Sequence, residues 1–536
     1  MSSIFLAMNT ANSALQADQA SLETVGHNVA NANTDGYTQQ SAHLVASPAY
    51  SVPSIMSPVG PGQLGTGVTV QNIMRSRDGL LDGQFRFANQ SAGQWSTLDT
   101  QMNQVQSIFT EPSPTGLGTK LNTFWNTWQQ VADDPTNVGA RSALQQSSIS
   151  LVNAFNGASQ QLTQAQIAAD TSVTGVVNDV NTLTSQIANL NGQIRTVLAN
   201  NQQPNDLMDQ RDLLIDHLSN LVPITYGNAN PPDGTITVNL ATQVPGANTL
   251  SPASTTVGTP ALVIGTTATA LYYATTNALP YTSPSYLAAP PPAPAAPGLP
   301  ITTGGLAPII GGKLGSALQV RDQIIGSDPA VPPTLGTGLI AQLNTVVRAV
   351  AQAVNAIHGS VAGPPYSTFD LNNNPGGSFF DVAGAPLAGP PFTNVTTMTA
   401  ANVIINAAIV ASSSAIAASA TTGAQGDGSV AQKIANVQNI KGIALSPLPN
   451  QTVNQGYETM ISGLGATAQR AHNTSQVQVS VMNSLTNQRL SVGGVNLDEQ
   501  MTFLVQLQHN YSAAARVVTA VDSMLETIVA HLGLGN

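Results

Sequence analysis

The chain has 536 residues, 15 Lys plus Arg against 26 Asp plus Glu, a formal net charge of -11 and no cysteine. At roughly 150 residues per domain it holds several domains, thiol chemistry, disulfides and Cys-ligated metals are excluded, and cations this sparse exclude a nucleic-acid partner. Charged residues make up 8%, against about 25% in ordinary soluble domains, so the surface must be built from Asn, Gln, Ser and Thr.

The first segment, MSSIFLAMNTANSALQADQASLE, lacks a basic n-region, a continuous apolar core and an A-x-A site, and so does not read as a cleavable secretory signal. Its apolar positions, Ile4, Met8, Ala11, Leu15, Leu22, Val25 and Val29, recur at alternating steps of four and three, with Asp18 as a polar interruption. That is a heptad stripe, and it predicts a helix that needs a helical partner. The helix stops at HNVANANTDGYTQQ, where Asn, Thr, Asp and Gly cluster, Gly36 suits positive φ and Tyr37 supplies a large anchor for the exit.

Helical patterning continues at 76–110, 118–132, 140–170, 205–222, 339–358 and 460–490. An unbroken heptad run, Val173, Val176, Val180, Leu183, Ile187, Leu190, Ile194 and Val197, follows the third of these. From Gly234 to Gly312 no residue is charged, and the strand-like pieces TITVNL, ALVIG and ALYYA lead to the extended, Pro-rich AAPPPAPAAPGLP. Residues 401–420 are Ala-rich with Asn and Ser, and fall short of a membrane span. Near the end, Asn496 and Glu499 are spaced as a capping box. They open a second heptad stripe: Leu497, Met501, Leu504, Tyr511, Ala515, Val518, Leu525 and Val529, with Gln508 and Asp522 as breaks.

Motifs that carry chemistry are weak. Asp206, Asp209, Asp212, Asp216 and His217 concentrate in PNDLMDQRDLLIDHLSNLV, a spacing open to a carboxylate pair or a hard metal. The plainer reading puts Leu207, Leu214, Leu218 and Leu221 inward and the acids on the solvated face. Gly60, Gly62 and Gly65 fit G-x-G-x-x-G, but Pro-containing sequence precedes and strand-like VTVQNI follows, the wrong order for a dinucleotide site. The histidines are scattered, with no HExxH and no Gly-x-Ser-x-Gly elbow. No enzyme, cofactor or metal is expected.

HNVANANTDGYTQQ resembles the N-terminal signature of bacterial flagellar rod, hook and hook-associated proteins, carried by Asn28, Asn31, Thr34, Gly36 and Tyr37. NLDEQMTFLVQLQHNYSAAARVVTAVDSMLETIV is similar to the terminal helix of the same group. ADDPTNVGARSALQQSSISLVNAFN, IANLNGQIRTVLANNQQPNDLMDQRDLLIDHLSNLVPIT and GGKLGSALQVRDQII are similar to the hook-associated protein 1 family, the hook–filament junction protein. His27 and Gln39 depart from the group, which commonly has Asn and Arg there.

Patterning and resemblance together lead us to expect a mainly α fold with a β-rich insert (α+β), elongated and discontinuous, whose N- and C-terminal helices pair as a coiled coil; the insert is read from its composition, since the resemblance does not extend over it. The expected division is 1–45 plus 496–536 as a terminal helical (inner tube) domain, 46–225 plus 305–495 as a mainly helical middle domain, and 226–304 as a charge-free, β-rich or irregular inserted outer domain. The resemblance implies a structural subunit joining hook to filament. Its partners would be copies of itself, hook subunits, a second hook–filament junction protein, the flagellar type III export apparatus and a cytoplasmic export chaperone, with no membrane insertion. The alternatives are a hook or rod subunit, or a secreted adhesin or glycan hydrolase using Asp209, Asp212 or Asp216 as acids.

Overall fold

The computed structural model describes residues 2–49, 65–226, 233–241, 261–264, 267–268, 271–272, 299–300, 311–326, 338–359, 368–387, 395–442 and 451–532. Helix α1 (Ser2–Ala30) leads into an antiparallel hairpin of β1 (Gln40–Ala46) and β2 (Val68–Arg75), whose register shifts between His43 and Leu44. Then come α2 (Gly79–Phe109), α3 (Leu117–Asp133), α4 (Val138–Ala199) and α5 (Asn205–Leu221). The strands β3 (Ile224–Tyr226), β4 (Val238–Leu240), β5 (Ala261–Ile264) and β6 (Thr267–Ala268) form one antiparallel sheet, and β7 (Leu271–Tyr272) pairs in parallel with β8 (Leu299–Pro300). Helix α6 (Gly312–Gln319) runs into a π-helical turn, Val320–Ile325, followed by α7 (Leu339–His358). A small antiparallel pair, β9 (Phe380–Val382) and β10 (Val403–Ile405), precedes α8 (Ala407–Ala411) and α9 (Ser429–Ala435). The chain closes with α10 (Val453–Gly493) and α11 (Leu497–Leu532).

Local chemistry sets several of these starts. Asp78 accepts from the Leu80 amide at 2.8 Å ahead of α2, and Asn137 accepts from the Ala140 amide at 3.1 Å ahead of α4. Thr452 and Gln455 form a reciprocal capping box at α10. The two patterns expected at 140–170 and 173–197 are one helix: α4 runs 62 residues without a break, a rod of about 90 Å. No proline interrupts it, and each half buries a face in a different core, so packing carries it through its glycines.

The first core joins α2, α3, the first half of α4, α7, α9 and α10, with Phe124, Trp125, Trp128, Phe379 and Phe380 at its centre. Residues 401–420, read in the sequence as too polar for a membrane, belong here: Val403, Ile405, Ile409 and Ile416 are buried in it. The second core takes the rest of α4, from Val173 to Ile187, with Ile215 and Leu218 of α5, Leu314 of α6 and Val238 and Leu240 of β4. The charge-free stretch is therefore not wholly detached, since its first strand closes a core with α4 and α5. Apart from the short strands β5 to β8 and residues 311–312, the rest of that stretch, including most of its Pro-rich end, lies outside the described residues, as do Gly60 and Gly62. No helix among the described residues is long and apolar enough to cross a membrane.

His358 is fully enclosed beside Trp128 and Phe379. Its Nδ1 donates to the Gly377 carbonyl at 2.7 Å, and its Nε2 accepts from the Ala417 amide at 2.9 Å. That pattern requires the neutral ring, and burial pushes its pKa down to about 4. The unfolded chain then binds a proton near the ordinary His value that the folded chain refuses, so stability is complete above about pH 6.5 and falls as pH drops toward 4. The expected loss is about 3 kcal/mol from this group alone. Urea midpoints taken between pH 7 and 4 should fall along that slope, and His358→Asn should flatten it.

Candidate functional site

The N-terminal turn motif is a joint, and Asn28 is its hub. The side chain is buried, at 1% exposure, and each of its polar atoms is used twice. Its Nδ2 donates to the Gln40 carbonyl at 2.8 Å and to Gln500 Oε1 at 2.9 Å. Its Oδ1 accepts from Tyr37 Oη at 2.7 Å and from the Gln40 amide at 2.9 Å. One amide thus ties the end of α1, the turn, the start of β1 and the first turn of α11. Tyr37, expected as a packing anchor, also serves as a donor. Burial, then Asp206 and Asp209, push its phenol up, so it stays protonated.

The remaining turn residues hold the bend. Asn31 Nδ2 donates to the His27 carbonyl at 3.0 Å, and Thr34 Oγ1 donates to Asn31 Oδ1 at 3.1 Å. Gly36 sits at φ +78°, and a Cβ there would lie 3.1 Å from Leu213 of α5, so both conformation and space call for glycine. The Gln39 amide donates to the Gly493 carbonyl at 2.8 Å. A side chain on Gly493 would collide with the Ser76 carbonyl. His27, one of the departures from the group, lies 3.2 Å from Asp206 Oδ1.

Beneath this joint the acids of α5 overturn the solvated-face reading. Asp209, Asp212 and Asp216 are buried, and arginines from three other elements cover them. Arg75 meets Asp209 at 2.7 Å and Asp212 at 2.9 Å, and Arg77 meets Asp212 at 3.1 Å and Asp82 at 2.9 Å. Arg86 meets Asp216 at 2.6 Å. Arg489, near the end of α10, joins Asp82 at 3.0 Å to Asp216 at 2.8 Å and lies over the Phe85 ring. Burial pushes Asp212 up, but Arg77, Arg75 and Arg86 outweigh it and hold its carboxyl below the usual range. Asp209 also accepts from the Thr38 amide at 2.9 Å and from the Thr38 hydroxyl, linking the cluster to the turn. Asp206 remains on the exposed side, in the first turn of α5.

Helix α5 is thus buried on two sides: Ile215 and Leu218 face the second core, and the acids face the arginines. Periodicity saw only the first side. Both carboxylate oxygens of Asp212 and of Asp216 meet guanidinium, and those of Asp209 are divided between arginine and Thr38, an arrangement that leaves no oxygen of the three free for a metal or a general-acid role; no group of His, Asp or Glu among the described residues could hold a metal ion.

Helices α1 and α11 lie side by side, antiparallel, since the end of one meets the start of the other at Asn28 and Gln500. On α1, Ala11 and Val25 are buried, Leu15, Leu22 and Val29 half-buried, and Met8 exposed. On α11, Leu504, Ala515, Val518 and Leu525 are half-buried, whereas Leu497, Met501 and Tyr511 are exposed. The inward line runs Gln500, Leu504, Leu507, Ala514, Val518, Val521, Leu525 and Ile528. Of one expected column, Leu504, Val518 and Leu525 face α1, and the other column lies one residue off, which is why Gln508 and Asp522 read as interruptions. The side chains of Ile4 and Val529 lie outside the described residues. Asn496 caps α11, accepting from the Asp498 amide at 3.0 Å and the Glu499 amide at 3.4 Å. The reciprocal bond from Glu499 does not form; its carboxylate is exposed to water instead.

Comparison with known proteins gives a consistent picture. Residues 102–380 match the family described as the flagellar hook-associated protein FlgK helical domain. Residues 8–38 match the flagella basal body rod protein family, and residues 486–530 the C-terminal family of flagellar basal body rod FlgEFG proteins. Flagellar hook-associated protein 1 of Bacillus subtilis is 31% identical over 548 residues, covering 100% of both chains. The protein of the same name from Salmonella typhimurium is 34% identical over 221 residues, 40% of this chain and 38% of that one. The solved flagellar hook junction protein FlgK from Burkholderia pseudomallei shares the fold with a TM-score of 0.56 at 18% identity, covering 76% of this chain and 100% of that one.

The cluster and the exposed pair beside it should separate cleanly in stability. Asp212→Ala leaves buried guanidinium groups undercompensated and should destabilise the chain by about 3 kcal/mol. Asp206→Asn, at an exposed His–Asp contact, should change stability by less than about 1 kcal/mol. Urea unfolding of both variants is the check, and equal small losses would mean that the cluster does not hold the joint.

Proposed function

This chain belongs to the flagellar hook-associated protein 1 family, and we propose that the Asn28 joint and the arginine–aspartate cluster make it a rigid adaptor between two helical polymers. It is a structural protein of the bacterial flagellum at the hook–filament junction, and it assembles there rather than catalysing a reaction. In this reading residues 1–45 plus 496–536 form the inner tube, 46–225 plus 305–495 the middle domain, and 226–304 an outward insert. Helices α1 and α11 form a coiled coil on the seam from Ala11 to Asn28 and from Gln500 to Ile528, with the turn residues Asn28 to Tyr37 fixing its angle to the body. One side of the subunit meets hook subunits, and the other meets a second junction protein. Delivery is by the flagellar type III route, with a cytoplasmic chaperone holding α11 before export.

The observation that carries this reading is the bond between Asn28 and Gln500, which closes the two ends of the chain on each other inside the segments that match rod-type proteins. A secreted hydrolase is disfavoured by the same site, because its candidate acids are neutralised by arginine.

Deleting the gene in its host should leave hooks without filaments, seen by electron microscopy, and unpolymerised flagellin in the medium. Loss of the hooks themselves would move the chain to a rod or hook role. On the α1 side the seam is made largely of small residues, Ala11, Ala17, Ser21 and Thr24, which bury little area each, so the free monomer should order α11 only on incorporation. Hydrogen exchange on the monomer should show no slow amides across residues 498–530, and protection there would refute coupled folding.

A further inference from the structure

Helix α11 carries apolar side chains that the seam with α1 does not use. Phe503, Val517 and Met524 are 41%, 47% and 58% exposed, and their spacing of fourteen and seven residues puts them on one line. That line runs beside the seam, not within it. Next to it stands Arg516, midway between the seam residues Ala514 and Val518 and so on the opposite side of the helix. Arg516 is the only Lys or Arg in α1 and α11 together. It is exposed and has neither an ion-pair nor a hydrogen-bond partner among the described residues.

Its complement is Asp18 on α1. This carboxylate is half-buried at the flank of the seam, also without a partner among the described residues, and burial raises its pKa. A carboxylate drawn partly out of water with nothing opposite is unfavourable unless a cation arrives. The other acids of the two helices are exposed: Glu23 accepts from Gln19 at 3.1 Å, Asp498 and Glu499 lie in the first turn of α11, and Asp522 and Glu526 stand in its last third. Within one chain Asp18 and Arg516 do not meet. The Asn28–Gln500 bond fixes the antiparallel register, which places Arg516 about 9 Å along the axis from Asp18 and pointing away from the seam.

We propose that Asp18 of one copy binds Arg516 of a second copy, with the Phe503–Val517–Met524 line laid against the neighbour's terminal helix pair. The inference rests on the self-assembly in the function above and adds which groups set the register between copies. A sliding apolar contact has no preferred axial position, whereas one ion pair per interface, half-desolvated on the Asp18 side, fixes it. Arg516 is the one Lys or Arg on the two helices, and Asp18 is the one acid among their six that is half-buried, so it is the acid that gains most from the pairing.

The absence of cysteine allows a direct test in hook preparations isolated from the host. A chain carrying D18C and R516C, treated with a short bis-maleimide, should give a ladder of chain dimers and larger products, and neither single variant should. A cross-link that merely closes one chain on itself, or no ladder from normally assembled junctions, overturns the proposal. If the double-cysteine chain fails to assemble, charge exchange decides. D18R alone and R516D alone should each lower the fraction of hooks bearing filaments about tenfold, the effect of about 1.4 kcal/mol per contact. The combination should restore it to within about twofold, and a combination no better than either single change overturns the pairing. Failure of the family reading is distinguishable, since in that case the deletion strain itself would carry normal filaments.

Discussion

Buried charge is unfavourable unless matched, and the acidic side of α5 is matched by arginines from β2 and its exit, from α2 and from α10. Each arginine is far in the chain from the α5 acid it meets; Arg489 stands hundreds of residues from Asp216. The cluster can form only when the hairpin, α2, α5 and the end of α10 are all in place, so it acts as a single condition on the geometry of the body. Hydrophobic packing alone would tolerate small rotations of α10 against α2. The contact of Arg489 on α10 with Asp82 on α2, at 3.0 Å, does not, and the bidentate grip of Arg77 on the same Asp82, at 2.9 and 3.1 Å, holds that carboxylate in place. The Asn28 hub is built directly on this base through Thr38 and Asp209, so the direction of the terminal helices is inherited from the cluster.

The rest of the surface reads differently in that light. A chain with so few charges places several of its arginines inside one cluster and leaves most of the exterior to amides and hydroxyls. Identical subunits stacked closely bring like surface groups together, and an uncharged surface avoids that repulsion at any salt concentration. Charge is kept where it specifies an internal angle and is largely withheld where copies must approach.

Much of this was legible in the sequence, and the failures share a cause. The helices, the turn at Asn28 to Tyr37 and the Asn496 cap followed from periodicity and local chemistry, which are properties of neighbouring residues. The acids of α5 were misplaced because their partners at Arg75, Arg77, Arg86 and Arg489 are distant in sequence, and a helical wheel cannot show a second buried side made of charge. The 62-residue α4 was expected as two pieces because each half faces a different core. The capping box expected at Glu499 is found instead at Thr452 and Gln455, where the same Thr-x-x-Gln pattern was there to be read.

The register of α11 shows how far a heptad argument reaches. Two stripes one residue apart share Leu504, Tyr511, Val518 and Leu525, and differ in whether the alternate column is Leu507, Ala514, Val521 and Ile528 or Gln508, Ala515, Asp522 and Val529. The first buries apolar groups at each step, and the structure takes it. A helix with apolar residues in both columns and on the line from Phe503 to Met524 has more apolar surface than one partner can cover. On α1 the seam is further thinned by Ser21 and Thr24, whose hydroxyls donate back to Ala17 and Ala20 at 2.8 Å and so keep the contact dry without adding area. A pair that is weak inside and apolar outside gains more from its neighbours than from itself. Its order is then set by assembly, while the joint beneath it is set by folding.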